Sequence, residues 1–205
     1  MSWGTSEGDK SIRAAITDIE GTSSVEVVVA VRAHARLFLG QHIVVGLIAM
    51  IAVLVYAVLD EWDAWAIIAL PLATGVISTL LVEYVPPLYR FLVPAWVREQ
   101  HVAQAARALF VEKGVHTTRD RTGLLVFVAV RARAVEVLGD VGIVEQLGQT
   151  RLDHMAQALK TALPQGPAAV GRTLANFGPE LADVFPKKAD DTNELPDDPI
   201  AVKSE

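Results

Sequence analysis

Leu124–Val130 (LLVFVAV), the connector Arg131-Ala132-Arg133 and Ala134–Leu138 (AVEVL) decide how this chain folds. Both runs are short and rich in β-branched residues. A three-residue connection between two such runs predicts a β-hairpin. A two-stranded hairpin is marginal in water, so it needs further strands and a covering layer. The only other run of this type is Val25–Val31 (VEVVVAV), bounded by Gly21-Thr22-Ser23-Ser24. Its nearly continuous apolar character predicts an interior strand covered on both faces. The long helical stretch between it and Leu124 predicts that the two strands lie parallel, because adjacent parallel strands need a crossover connection.

The helices follow from periodicity. Ser6-x-x-Asp9 has the form of a capping box ahead of a short helix with Ile12, Ala15, Ile16 and Ile19 on one face, ended by Gly21. Arg98–Lys113 presents Val102, Ala105, Ala106, Leu109 and Phe110, and Gly114 stops it. Thr150-x-x-Asp153 predicts the cap of a helix carrying Leu152, Met155, Ala156, Leu159 and Leu163. Pro167 opens the next, with Val170, Leu174, Phe177 and Leu181 in one stripe and a kink expected at Gly178-Pro179. From Pro186 the chain is polar, acidic and proline-rich, and a mobile or surface-laid tail is expected.

Between the first strand and the second helix lie two uncharged runs, Ile43–Leu59 (IVVGLIAMIAVLVYAVL) and Ala64–Val82 (AWAIIALPLATGVISTLLV), separated by Asp60-Glu61-Trp62-Asp63. Each is about the length of a helix that crosses a ~30 Å hydrocarbon core. They account for much of the 52 % hydrophobic composition and the mean hydropathy of +0.36. Arg32 and Arg36 precede the pair, Arg90 and Arg98 follow it, and the acidic loop holds no Lys or Arg. The positive-inside rule then puts both flanking parts in the cytoplasm and the acidic loop outside. Trp62 and Trp65 mark the outer interface; Tyr84, Tyr89 and Trp96 mark the inner one. The first residues have neither a basic n-region nor an apolar h-region, so the first run would itself be the insertion signal.

The expected fold class is therefore α/β (α+β): a small mixed β-sheet covered by helices, interrupted by a two-helix transmembrane hairpin. The parts are 1–39 (first helix and strand), 40–85 (hairpin), 86–185 (the rest of the domain) and 186–205 (acidic tail). No cysteine is present, which removes disulfides, thiolate metal sites and cysteine nucleophiles. The net charge of −6 argues against a nucleic-acid partner. The expected partners are the lipid bilayer and other membrane proteins.

Three groups of residues are candidates for function. Asp120, Asp140 and Glu145 are the best acidic cluster for a hard cation such as Ca2+ or Mg2+. The plainer alternative is that Asp140 serves a glycine-flanked turn and Glu145 a helix start. His116 shares a polar loop with Thr117, Thr118, Arg119, Asp120 and Arg121, a mix suited to an anion or to local capping bonds. Glu83 is about level with His42 at the inner end of the hairpin, and a structural contact of Glu83 with His42 or Arg36 is expected rather than transport. Gly46, Gly75, Ala73 and Ser78 suit close packing of the two spans. The five histidines are scattered without metal spacing.

Thr122–Val128 (TGLLVFV) followed by Arg133–Ile143 (RAVEVLGDVGI) resembles the TPM domain of thylakoid-lumen and photosystem II repair proteins and of an acetylcholine-receptor modulator. VEVVVAV resembles that domain's first strand. Phe185-Pro186 with Asn193-Glu194-Leu195-Pro196 is similar to the tail of small bacterial membrane proteins of that family. The resemblance implies an interaction or assembly module for membrane complexes. Its enzymatic alternative is a metal-dependent, phosphatase-like hydrolase, and a weaker one is a divalent-cation sensor. Family members linked with phosphatase activity or calcium carry a G-x-G-L-E-G…T-D run after the last strand. Here Gly139–Gly148 reads GDVGIVEQLG, without the Thr-Asp pair.

Overall fold

The structure, a computed structural model, describes residues 3, 6–32, 39–84, 94–188, 194–195 and 199–201. The chain divides into one unit of Met1–Ala35 with Glu99–Glu205 and another of Arg36–Arg98.

In the first unit a four-stranded sheet has the order β3-β2-β1-β4, with β1 at Glu26–Arg32, β2 at Gly123–Ala129, β3 at Ala134–Gly139 and β4 at Ile200–Ala201. β1 and β2 are parallel, pairing Glu26 with Gly123 through Arg32 with Ala129. β2 and β3 form the expected antiparallel hairpin, pairing Leu124 with Gly139 through Ala129 with Ala134. Alternation along the strands divides the core in two. Val25, Val27, Val29, Leu124, Val126, Val128, Val135 and Val137 point to one side. There they meet helices α1 (Ser6–Thr22), α6 (Gln149–Ala162), α7 (Pro167–Ala175) and α8 (Gly178–Val184). Val28, Ala30, Leu125, Phe127, Ala129 and Ala134 point to the other, against Val102, Ala106 and Leu109 of α4 (Ala95–Glu112).

Helix α1 buries Ile12, Ala15, Ile16 and Ile19, as their spacing predicts. It is longer than the sequence suggests, running through Gly21 to Thr22; glycine weakens a helix without forbidding it. After α4 the chain turns through Gly114 in the left-handed region, φ 67°, into a 3-10 turn at Val115–Thr117.

Two sequence expectations need correcting, the Thr150 cap and the Gly178-Pro179 kink, and the structure adds two short elements. A separate short helix, α5 (Val141–Leu147), occupies the glycine-containing segment after β3. Thr150 does not cap α6: the helix starts at Gln149 and Gly148 is its N-cap, so Thr150 is already inside the first turn. The expected kink at Gly178-Pro179 is a break between two helices, with Phe177 preceding α8 and Pro179 in its first turn, where a missing N–H is harmless. Within the tail, Ile200-Ala201 adds to β1 as β4, pairing Ala30 with Ile200 and Val31 with Ala201.

The second unit contains two 21-residue helices, α2 (Leu39–Leu59) and α3 (Ala64–Tyr84). The reversal between them is held locally. Glu61 has φ 52°, Trp62 Nε1 donates to Asp60 Oδ2 at 2.7 Å, and the Trp62 and Tyr56 rings meet edge to face at 5.7 Å. Gly46 and Gly75 let the helices approach backbone to backbone. A Cβ on Gly46 would be 2.0 Å from Thr79 Oγ1 and 2.6 Å from the Gly75 carbonyl.

Candidate functional site

The amino ends of β1 and β2 and the carboxyl end of β3 share one edge of the first unit, which gathers its buried polar side chains: Ser23, Ser24, Glu26, Thr118, Thr122 and Asp140. Most are tied to backbone. Thr122 Oγ1 donates to the Ser24 carbonyl at 2.7 Å, across 98 residues of sequence. The Ser24 amide donates to the Phe185 carbonyl at 2.9 Å, and the Asp140 amide to the Gly123 carbonyl at 2.8 Å. The tail comes to the same edge. Glu26 Oε2 accepts from the Leu195 amide at 3.2 Å, and Glu194 Oε2 accepts from the Arg119 amide at 2.9 Å.

The three candidate cation ligands have separate roles here. Asp140 is the N-cap of α5: its Oδ1 accepts from the Val141 amide at 2.7 Å. Its Oδ2 is 3.3 Å from Arg121 Nε, an ion-pair distance, yet that oxygen is buried and has no hydrogen-bond partner among the described residues. The contact is thus charge attraction without alignment. Asp120 accepts from Lys188 Nζ at 2.8 Å, and this bond holds its carboxyl below the usual aspartate range. Glu145 is exposed on α5. Among the described residues no group of three or more His, Asp or Glu side chains is arranged to hold a metal ion. In the His116 loop, the Arg121 guanidinium donates to the His116 carbonyl, and Thr117 Oγ1 donates to the Gly114 carbonyl at 2.6 Å. These are local capping bonds of the kind Thr and Arg make in turns. Thr118 Oγ1 and His116 Nδ1 remain buried without a hydrogen-bond partner among the described residues.

Arg36 lies outside the described residues, as do the side chains of His42 and Glu83, so the contact expected among them does too.

Sequence reading missed a second feature, a cavity of about 210 Å³ at the outer edge of β3. Glu99 and Val102 of α4 and Asp153, Gln157 and Lys160 of α6 line it with Glu136. Lys160 Nζ meets Glu99 Oε1 at 2.7 Å across it. Burial pushes the Glu136 carboxyl above the usual glutamate range; Arg107 opposes the shift, and Asp153 and Glu99 add to it. The one sequence signal was Glu136 itself, a carboxylate in the middle of an apolar strand.

The hairpin offers a different kind of surface. Ile48, Val55, Leu59, Ile68, Leu72 and Val76 are all more than half exposed, with Leu59 at 78 %. Ala64–Val82 is long and apolar enough to cross a membrane by length and composition, and Ile43–Leu59 is a shorter apolar helix.

No family model matches this sequence, and no curated protein matches it. Among solved structures, the chain is similar to the NMR structure of the BA42 protein from the psychrophilic bacterium Bizionia argentinensis. The TM-score is 0.60 at 20 % identity, over 98 % of this chain and 97 % of that one. At that identity the likeness is one of fold.

Proposed function

We propose that this protein is a TPM-like domain anchored in a bacterial inner membrane by its helical hairpin, and that it acts there as an interaction or assembly module for membrane complexes. The observation that carries the membrane reading is the hairpin's outer surface. Two 21-residue helices pack tightly through Gly46 and Gly75 and still leave large aliphatic side chains exposed along both. An exposed apolar surface of that extent needs lipid or a partner. The absence of charge along both runs favours lipid, since an uncharged backbone-satisfied helix is what hydrocarbon accepts. The arginines flanking the hairpin favour a cytoplasmic position for the domain.

The module reading is supported by what the acidic residues do. Asp120 and Asp140 are engaged by Lys188, the Val141 amide and Arg121, which suits a structural part better than a reaction centre. The TPM resemblance of Thr122–Val128 and Arg133–Ile143 adds the assembly role.

The test has two parts. Alkaline carbonate washing of membranes from cells expressing the full chain should leave it in the pellet; release into the supernatant would refute the anchor. A reporter fused after Glu205 should be active only in its cytoplasmic form, and a periplasm-dependent signal would refute the orientation.

One observation favours a second reading, a divalent-cation sensor or metal-dependent hydrolase. Asp140 Oδ2 is a buried oxygen without a hydrogen bond among the described residues, and hard cations bind such oxygens. Its test is a Ca2+- or Mg2+-induced stabilisation that disappears in Asp140→Asn.

A further inference from the structure

The opposite edge of the sheet has a different chemistry. β1 ends at Arg32, and β2 ends in the turn that carries Arg131 and Arg133. The turn is laced to Arg32: the Val130 amide donates to the Arg32 carbonyl at 3.1 Å, and the Arg133 amide donates to the Val130 carbonyl at 3.2 Å. Arg133 sits at φ 52°, and its side chain is exposed. Val27–Arg32 and Gly123–Val135 together hold these three arginines and no Asp or Glu, in a chain whose net charge is −6.

Arg32 is the unusual member. It is half-buried, with its guanidinium carbon 6.0 Å from the centroid of the Phe127 ring, a cation–π arrangement that orients the plane. Its Nε and Nη1 are buried and have no hydrogen-bond partner among the described residues. Burial also holds its pKa below the usual arginine range. A desolvated guanidinium with idle donors is costly unless something accepts from it. What such a cation fits best is a phosphate or carboxylate, whose oxygens accept charge-assisted N–H bonds. Ligands of open sheets with parallel strands also tend to bind at this carboxyl end.

We propose that the carboxyl end of β1 with the β2–β3 turn binds the phosphate of an anionic phospholipid headgroup, with Arg32 as the central cationic donor and the turn arginines at the rim. The choice of a lipid rests on the membrane reading above. Only residues 33–38 separate Arg32 from the start of α2 at Leu39. At about 3.5 Å per residue, a tether of seven peptide units is at most roughly 25 Å long. Juxtamembrane basic groups that come within a Debye length of the surface, about 10 Å, are attracted to anionic leaflets, and a short tether allows that approach. The same donors would bind free phosphate, so the experiment separates the two sources.

The full chain is purified in a neutral detergent, and retained lipid is measured by native mass spectrometry after adding phosphatidylglycerol, phosphatidylcholine or inorganic phosphate. Phosphatidylglycerol should be retained over phosphatidylcholine. Arg32→Gln should weaken that retention about ten-fold, Arg32→Lys should restore part of it, and Arg133→Gln should weaken it about five-fold. Arg133 is exposed, so its variant tests the site even where Arg32→Gln folds poorly. Equal retention of the two lipids, or variants that bind as wild type does, would overturn the proposal. So would displacement by inorganic phosphate at the concentration of the lipid, since the site would then be one for free anions. Carbonate washing of the same variants keeps the two readings apart. A chain that stays in the pellet without lipid preference refutes only the headgroup site. A chain released from the membrane refutes the anchor, and the lipid source with it.

Discussion

Replacing Asp140 separates a structural carboxylate from a cation ligand. Asp140→Ala removes the oxygen that accepts from the Val141 amide at 2.7 Å, and loss of an N-cap costs about 1 kcal/mol, with a range of roughly 0.5–2. It also removes the charge 3.3 Å from Arg121 Nε. That partner is half exposed, and ion pairs with exposed members contribute about 0–1 kcal/mol. Against this, the buried and unbonded Oδ2 no longer has to be held away from water, which returns part of the charge term. The net expectation for Asp140→Ala is about 1–2 kcal/mol. Asn caps nearly as well as Asp, so Asp140→Asn should stay within about 0.5 kcal/mol of wild type. Hydrogen–deuterium exchange of the full chain, read on the peptide covering Val141–Leu147, resolves this locally. The alanine variant should exchange about 5–30 times faster there, and the asparagine variant close to wild type. Two results would refute the reasoning. If both variants exchange equally fast, the charge rather than the cap is what matters. If millimolar Ca2+ or Mg2+ protects this segment in wild type and not in Asp140→Asn, Asp140 is a cation ligand.

Other perturbations reach other parts of the structure. Gly123→Ala would put a Cβ 2.0 Å from the Val115 carbonyl oxygen and 2.9 Å from Val115 Cγ1; a backbone shift at the start of β2 should cost at least about 2 kcal/mol in urea unfolding, and a near-neutral result would count against this packing. Because the folded pKa of Glu136 is raised, the folded chain keeps a proton there that the unfolded chain has lost, and stability falls as pH rises through the window from the ordinary glutamate range to the raised value. Glu136→Gln should therefore flatten the pH dependence of unfolding in that window and stabilise the chain above it; an unchanged slope would refute the assignment. Lys188→Glu sets a carboxylate against Asp120 in place of the 2.8 Å ion pair, and exchange at the Leu195 amide, which donates to Glu26, should rise a few-fold.

Much of the fold was legible in the sequence because its signals are long-period ones. VEVVVAV and LLVFVAV announced two covered strands, and the need for a crossover between them gave their parallel pairing. The spacings Ile12–Ile19 and Val170–Leu181 identified helix faces that are indeed buried. The misses were local. β4 is two residues long and is recruited by the edge of β1, so neither Ile200 nor Ala201 carries a strand pattern of its own. Thr150-x-x-Asp153 matched a capping box two residues too late, because Gly148 at φ 79° starts the helix without a side-chain cap. The site was less legible than the fold. Asp120 and Asp140 looked like neighbours for a cation, but their partners, Lys188 and Arg121, depend on where a tail and a loop arrive in space. Arg32 read only as a flanking charge, since the sequence does not reveal that Phe127 lies beneath it.

The connectivity explains why this domain can carry a hairpin at all. Parallel β1 and β2 must be joined by a chain that leaves the carboxyl end of β1 and returns to the amino end of β2. α4 supplies the covering helix of that crossover, contributing Val102, Ala106 and Leu109 to the core. The described residues between Arg32 and α4 take part in no strand pairing, and lengthening that connection leaves the registers of β1, β2 and β3 unchanged. Closure entropy grows only slowly with loop length, by about 0.6 kcal/mol per doubling, so α2 and α3 burden the sheet little. An insertion inside β1, or between β2 and β3 in place of Arg131-Ala132-Arg133, would instead disturb pairing directly. A consequence is that a chain with α2 and α3 replaced by a flexible linker should keep the β1–β2 sheet. Its amide exchange in Glu26–Arg32 and Gly123–Ala129 should match that of the full chain, and loss of protection there would mean that the hairpin is part of what folds the domain.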